Sequence, residues 1–185
     1  TALGHTALAN LTTGNSNTAV GYNTLTALTT GGSMVAVGTD AFAANTSGDK
    51  GVAVGFAALA ANTTAVHNTA VGYQALTANT TGGNNTAVGK NALDANTTAT
   101  NNTAMGVDAL GANTTGAANT AIGYNCLASN TTGGGNVAIG QSAGLDLTTG
   151  DTNTLVGPRT GQNITTASNN TAVGVDAMED ATTAA

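Results

Sequence analysis

The residues of this chain that could take part in catalysis are few and scattered. The chain has two histidines, His5 and His67, and one cysteine, Cys126. Catalysis needs a nucleophile, an acid or a base held within hydrogen-bond reach of a partner. The two histidines occupy different positions of the repeat described below, and no acid or nucleophile recurs beside them. We therefore predict that both are exposed turn residues and that the chain is not an enzyme.

The remaining chemical signals are also weak. Cys126 stands where other repeats carry a small residue, which indicates a buried packing residue. Asp40, Asp108 and Asp176 share one repeat position but lie four repeats apart, about 19 Å in stacked β-coils, too far for a catalytic carboxylate pair. No lysine follows the glycines as in a phosphate loop, and no Gly- and Asp-rich calcium nonapeptide occurs. We predict no catalytic residue, no metal site and no cofactor.

A strict repeat positions every residue of the chain. Its clearest unit is Asn-Thr-Ala-Val-Gly at 68–72, which returns at 17–21, 85–89 and 170–174. The final glycine recurs every 17 residues without insertion or deletion. These corner glycines are Gly4, Gly21, Gly38, Gly55, Gly72, Gly89, Gly106, Gly123, Gly140, Gly157 and Gly174. A fixed period of this kind indicates identical stacked coils.

Positions are numbered here from the corner glycine as zero. Position −1 is always apolar, position −3 is Thr or Val, and position −2 is Ala except at Leu155. Side chains alternate between the two faces of a strand, so this segment predicts a short strand that is nonpolar on both faces. The glycine must then adopt a positive φ or lie against another backbone. With a second strand in the Asn-Thr-Thr-Gly segment, each coil would have two strands and two turns.

The bulky core residues are expected at −1, +4 and +7. Gly144 and Gly161 replace the large residue at +4, and Leu147 and Ile164 appear at +7 in the same repeats. A close-packed interior would require such an exchange of volume. The predicted core residues are Val71, Leu76, Val88, Leu93, Leu110, Ile122, Leu127, Leu147 and Ile164.

Two polar residue types recur at fixed positions. Thr occupies +8 in every repeat, namely at Thr12, Thr29, Thr46, Thr63, Thr80, Thr97, Thr114, Thr131, Thr148, Thr165 and Thr182. Position +9 is also Thr or Ser, so one hydroxyl row can line the interior and the other the surface. Asn at −4 and +7 is expected to form hydrogen-bonded ladders at turns. Asn-x-Thr glycosylation acceptors occur at Asn62, Asn79, Asn96, Asn113 and Asn130, although the ladder interpretation is preferred.

The pattern predicts an all-β fold, a parallel β-solenoid of about eleven coils with one repeat per coil. Gly, Asn and Thr at fixed mid-repeat positions disfavour a helical alternative. The array covers 1–185 as one unit, and it begins and ends in mid-repeat. We expect a fragment of a longer fibre, without capping segments.

The composition narrows the choice of partners. Charged residues make up 6% of the chain, and only three of them are basic, which disfavours nucleic-acid binding. No apolar run reaches the roughly 18 residues of a membrane helix. The strand has two nonpolar faces, and one coil is too thin to cover both. A second copy of the chain is the simplest cover, so we expect a homotrimer about the rod axis; a single-chain or head-to-tail filament stays open.

Asn-Val-Ala-Ile-Gly at 136–140 resembles the head repeats of trimeric autotransporter adhesins. The longer unit at 68–76 and 79–82 is similar to repeats of phage tail-fibre and related surface proteins. The resemblance implies a left-handed parallel β-roll that trimerises, although the repeat here is longer than the adhesin unit.

Three functions follow as hypotheses. The first is a structural fibre or adhesin shaft, extracellular, on a cell surface or on a virion, that attaches to a host-surface glycan or protein. The second is a self-assembling extracellular filament, decorated with glycans. The third is ice binding through regular Thr rows.

Overall fold

A computed structural model shows the fold of the chain and describes residues 1–179. Thr182 of the predicted Thr row lies outside these residues. The predicted all-β parallel solenoid is confirmed: eleven parallel strands stack with a 17-residue period over about ten turns. The strands are β1 (Ala2–Leu3), β2 (Thr18–Val20), β3 (Val35–Val37), β4 (Val52–Val54), β5 (Thr69–Val71), β6 (Thr86–Val88), β7 (Thr103–Met105), β8 (Thr120–Ile122), β9 (Val137–Ile139), β10 (Thr154–Val156) and β11 (Thr171–Val173).

The strands form one sheet in sequence order, and each pairs with its neighbours in parallel. The register is the same at every step, so that Ala53 pairs with Ala70 and Ala70 with Ala87. Each repeat position therefore lies directly against its own copies in the adjacent coils.

The prediction of a second strand in each coil is wrong, because the Asn-Thr-Thr-Gly segment forms no strand in residues 1–179. Beyond the corner glycine the chain runs through turns in which positions +2 and +4 are left-handed, as at Gln74 (φ 55°) and Leu76 (φ 53°). The Asn-Thr-Thr-Gly segment that follows also bends, at Thr80 and Thr81 in the same coil, and therefore does not extend as a strand. Adjacent coils still bond there, since Leu76 N donates to Ala92 O at 3.0 Å and Thr80 N to Thr97 O at 2.8 Å.

The corner glycines satisfy both of the conditions expected from the sequence. Their φ angles lie between 128° and 143°, which L-residues rarely adopt. A Cβ at Gly72 would also lie well inside 3.0 Å of the carbonyl oxygen of Gly89 in the next coil. The strand therefore ends at a residue that has to be glycine for two independent reasons.

The apolar interior is filled from positions −2, +3 and +4, and from +7 where that residue is apolar, but not from −1. The alanines at −2, such as Ala70 and Ala87, are fully buried. The prediction that Val71, Val88 and Ile122 are core residues is wrong: Val71 and Ile122 are each 37% exposed, and Val88 is only partly buried. The coil is narrow, so the alanine methyl faces inward and the alternate, larger side chains face outward. The other predicted core residues are fully buried, namely Leu76, Leu93, Leu110, Leu127, Leu147 and Ile164.

Leu155 is the residue that compensates for the missing side chains at Gly144 and Gly161. It is fully buried, and its methyl carbons lie 2.9 Å from a Cβ built on Gly144 and 3.0 Å from one built on Gly161. Leu127 also reaches the Gly144 site, at 2.8 Å. Of the two residues predicted to compensate, Ile164 lies 3.1 Å from a Cβ built on Gly161, whereas Leu147 lies 2.7 Å from a Cβ built on Gly150. One large residue at −2 thus occupies the space of two absent residues at +4.

We expect Gly72→Ala to lower the free energy of unfolding by at least about 3 kcal/mol, because the new methyl group is strained and collides with backbone. Gly111→Ala is the matched control. Its Cβ would meet no atom closer than 3.4 Å, so we expect no loss, or a gain of up to about 1 kcal/mol. Denaturant unfolding followed by circular dichroism measures both. Equal effects of the two substitutions would contradict this account of the corner.

Leu155→Ala should cost about 3–5 kcal/mol by leaving a cavity, and Gly144→Leu about 1–3 kcal/mol by overpacking. Since both substitutions concern one volume, the double variant should be more stable than either single variant. The backbone permits the exchange, because Gly144 has φ 60° and the leucines at this position have similar angles. Leu155→Ala combined with the distant Gly111→Ala serves as the control and should be additive. If the changes in unfolding free energy caused by Leu155→Ala and Gly144→Leu were additive, the two residues would not share one volume.

Candidate functional site

The residues with catalytic chemistry do not converge in the structure. Within residues 1–179, no group of three or more His, Cys, Asp or Glu side chains could hold a metal ion. His5 is exposed and stacks on Tyr22 with ring centroids 5.7 Å apart, and His67 is exposed at a turn. The two histidines therefore contribute to the surface of the stack.

The acidic residues at +2 bond individually to the preceding coil. Asn23 Nδ2 donates to Asp40 Oδ1 at 2.6 Å, and Asn91 Nδ2 donates to Asp108 Oδ1 at 3.0 Å. Arg159 and Asp176 form an ion pair at 2.7 Å, also between adjacent coils, and both side chains are about half exposed to solvent. Exposed pairs of this kind contribute little to stability. They add polar contacts between coils without forming a carboxylate pair.

A shallow polar groove of about 310 Å³ lies on the first three coils, lined by Thr, Ser, Asn and Gly residues and by Asp49. Asp49 Oδ1 accepts a hydrogen bond of 2.9 Å from the backbone N–H of Gly32. The only carboxylate of the groove is therefore already hydrogen-bonded to the backbone of the preceding coil.

Cys126 is a packing residue. It is fully buried, and its Sγ lies 3.2 Å from the carbonyl oxygen of Ala138. Burial raises the pKa of its thiol to about 12. The thiol is therefore neutral at pH 7, and it cannot serve as a nucleophile.

The Asn residues at +7 form a buried ladder. Asn79 Nδ2 donates to Asn62 Oδ1 at 3.0 Å, and Asn96 Nδ2 donates to Asn79 Oδ1 at 2.9 Å. All five predicted glycosylation acceptors belong to this ladder and are fully inaccessible to solvent, namely Asn62, Asn79, Asn96, Asn113 and Asn130. Glycosylation of the folded chain at these residues is therefore ruled out, and the ladder lies inside the coil.

The ladder ends where the sequence changes. Leu147 follows Asn130 at this position and offers no donor, and Asn130 Oδ1 is a buried atom without a hydrogen-bond partner. The amide of Asn130 still donates to Asn113 at 2.9 Å. The last Asn of the ladder therefore donates to the preceding Asn and accepts no hydrogen bond from the coil that follows.

A second buried Asn row occupies −4. Asn85 N–H donates to Asn68 Oδ1 at 2.9 Å, and Asn85 Nδ2 donates to Ala99 O at 2.9 Å. The same bonds recur along the rod, for example between Asn119 N–H and Asn102 Oδ1 at 2.9 Å. Each amide therefore links its own coil to the next.

The Thr rows differ from the prediction, because neither lines the interior. At +8, Thr80 is partly exposed, and its Oγ1 and backbone N–H both donate to Thr97 O, at 3.0 Å and 2.8 Å. At +9, Thr81 is exposed. Both rows lie in the turns that replace the predicted second strand, so strand alternation does not apply to them.

The surface that remains unexplained is the outward face of the sheet. We call positions −3, −1 and +1 of all coils the sheet face. Every exposed large hydrophobic side chain in residues 1–179 lies on it: Leu3, Tyr22, Val35, Phe56, Val71, Tyr73, Met105, Val107, Ile122, Tyr124, Ile139, Val173 and Val175. Contiguous exposed apolar patches often mark interaction sites, so the sheet face is the candidate functional surface.

Comparisons with known proteins assign no family. No protein-family model matches the chain, and searches of curated proteins and of solved structures found no significant match. No helix in the described part of the chain is long and apolar enough to span a bilayer. The sheet face is therefore interpreted from its own chemistry.

We expect Asn96→Ala to lower the free energy of unfolding by about 2–4 kcal/mol, because it leaves two buried partners unsatisfied. The lost bonds join Asn96 to Asn79 at 2.9 Å and to Asn113 at 3.0 Å. Thr98→Ala, an exposed change in the same coil, should stay within about 0.5 kcal/mol. Chemical denaturation measures the difference, and amide hydrogen exchange should locate it in the flanking coils. A neutral Asn96→Ala variant would show that the ladder does not stabilise the stack.

Proposed function

We propose that the chain is a structural rod segment of an extracellular fibre, on a cell surface or a virion. The observation that carries the proposal is the unbroken register of β1 to β11, in which every coil pairs with the preceding coil at the same repeat positions. Parallel strands are spaced about 4.8 Å apart, so eleven strands form a rod about 48 Å long. Its hydrogen bonds run along its length.

The polar residues support this role because they act within the rod. The two Asn rows and the +8 Thr hydroxyls bond from coil to coil along its length. Such a stack adds length with each repeat at a nearly constant cross-section, which suits a shaft that holds an attachment region away from its base.

Rod growth is the direct test of this role. Residues 5–174 comprise ten complete repeats, so a chain with this segment duplicated in frame should form a rod about 48 Å longer at unchanged width. Negative-stain electron microscopy of the original and duplicated chains measures both dimensions. Folded coils should also resist proteases under native conditions. Two separable globules, or growth in width, would reject the proposal.

Ice binding is a second candidate, favoured by the regularity of the sheet face. Thr or Val at −3 and an apolar residue at −1 recur at the coil spacing of about 4.8 Å, which a repeating solid surface could match. Bulky side chains at +1, including Tyr22, Phe56 and Tyr73, interrupt this array and argue against it. Thermal hysteresis by nanolitre osmometry is the test, and its absence removes this candidate.

A further inference from the structure

We propose that the sheet face is a self-association surface, on which a second copy of this chain lies side by side with the first, sheet against sheet. The inference rests on the proposed structural role and names the partner of the rod. It is carried by the composition of the face, its area and its period.

The sheet face separates apolar from charged groups. All thirteen exposed large hydrophobic residues lie on it, including Val71 at 37%, Tyr73 at 48% and Ile122 at 37% exposure. Positions −3 and −1 carry no charged residue in any coil, and +1 carries a lysine only at Lys90. The acids lie at other positions, such as Asp40 and Asp108 at +2. A nearly uncharged apolar face suits burial against protein.

The face is large enough for a stable pair. Eleven strands spaced about 4.8 Å apart, and four residue steps of about 3.3 Å from −3 to +1, give a flat area of about 600 Å². Two copies would bury at least about 1,200 Å², which reaches the range of specific protein interfaces. The area of one sheet face includes Thr at −3 in eight of the eleven coils. It lies at the upper end of the largest patches on monomeric proteins, about 300–600 Å², and such patches are often functional.

The period of the face selects the occupant. A partner that covers the whole face has to present apolar groups at every coil, at a spacing of about 4.8 Å over about 48 Å. A second copy necessarily meets this requirement, because its sheet face has the same repeat. Two sheets packed face to face interdigitate their side chains at about 10 Å separation.

The structure favours two copies over three. Each chain of a trimer about a central axis needs two apolar faces, one for each neighbour. This rod has one face of large exposed apolar side chains. The remaining surface presents Thr at +9, mostly polar side chains at −5, such as His67 and Asn84, and mainly small, partly exposed residues at +5 and +6. The resemblance to trimeric adhesins implies three copies, and the distribution of apolar side chains points instead to a pair.

The experiment compares two double variants in the same two coils. Val71→Lys with Ile122→Lys places charges on the sheet face, and Thr81→Lys with Thr132→Lys places the same charges at exposed +9 positions. Sedimentation velocity and light scattering measure the mass at protein concentrations of about 1–100 μM. This range includes the dissociation constants of many protein dimers. Circular dichroism checks that all the chains are folded.

We expect the unaltered chain and the +9 variant to have twice the monomer mass of 17.6 kDa. The sheet-face variant should remain folded and run as a monomer, with a dissociation constant raised by at least about 100-fold. If this variant does not fold, Tyr73→Ser with Tyr124→Ser, at exposed +1 positions, is the substitute and should weaken the pair by about 10-fold or more.

Three results would overturn the proposal. These are a monomeric unaltered chain at every concentration, a trimeric mass, and equal weakening by the sheet-face and +9 variants. A monomer with thermal hysteresis that only the sheet-face variant loses would assign the face to ice. The duplicated chain separates the two proposals, because rods that lengthen without pairing keep the structural role and reject the self-association.

Discussion

The structure depends on one constraint: every coil stacks in register on an identical coil. Each repeat position contacts its own copies, so a side chain is suitable only if it packs or bonds with itself. Asn meets this requirement because one amide supplies both a donor and an acceptor, as in the bonds from Asn96 to Asn79 and from Asn113 to Asn96. Leu at +4 meets it in the buried core, where the copies from successive coils belong to one apolar cluster.

The buried Asn rows explain how the register is maintained. Apolar contacts between Ala and Leu are non-directional and tolerate small displacements. A buried amide that loses its partner is costly, so the two Asn rows oppose any displacement of one coil against the next. Asn130, whose Oδ1 lacks a partner beside Leu147, shows that the chain tolerates one interrupted ladder.

The same constraint determines the surface. The narrow coil accepts methyl groups at −2 and directs the alternate apolar side chains outward, so Val71 and its equivalents form a continuous apolar face. Charged groups gather at other positions, where Arg159 and Asp176 bond between coils. The rod therefore carries its large exposed apolar side chains on one side, where a flat surface is open to contact with another molecule.

The period, the strand at −3 to −1, the corner glycines, the leucines at +4 and the Asn ladders could all be predicted from the sequence, because a repeat without insertions requires like to stack on like. The sequence did not determine which face of the strand is interior, since Ala at −2 and Val at −1 are both nonpolar. Only the curvature of the coil decided that the smaller residue faces inward.

The tertiary structure also decided the path of the chain after the corner glycine. Leu76 and its equivalents are left-handed, a conformation that is unfavourable for leucine in isolation, and that coil-to-coil hydrogen bonds and burial impose. The same packing placed Leu155 between Gly144 and Gly161. Sequence spacing could not reveal this contact, because the volume is shared between two adjacent coils and does not lie within one repeat.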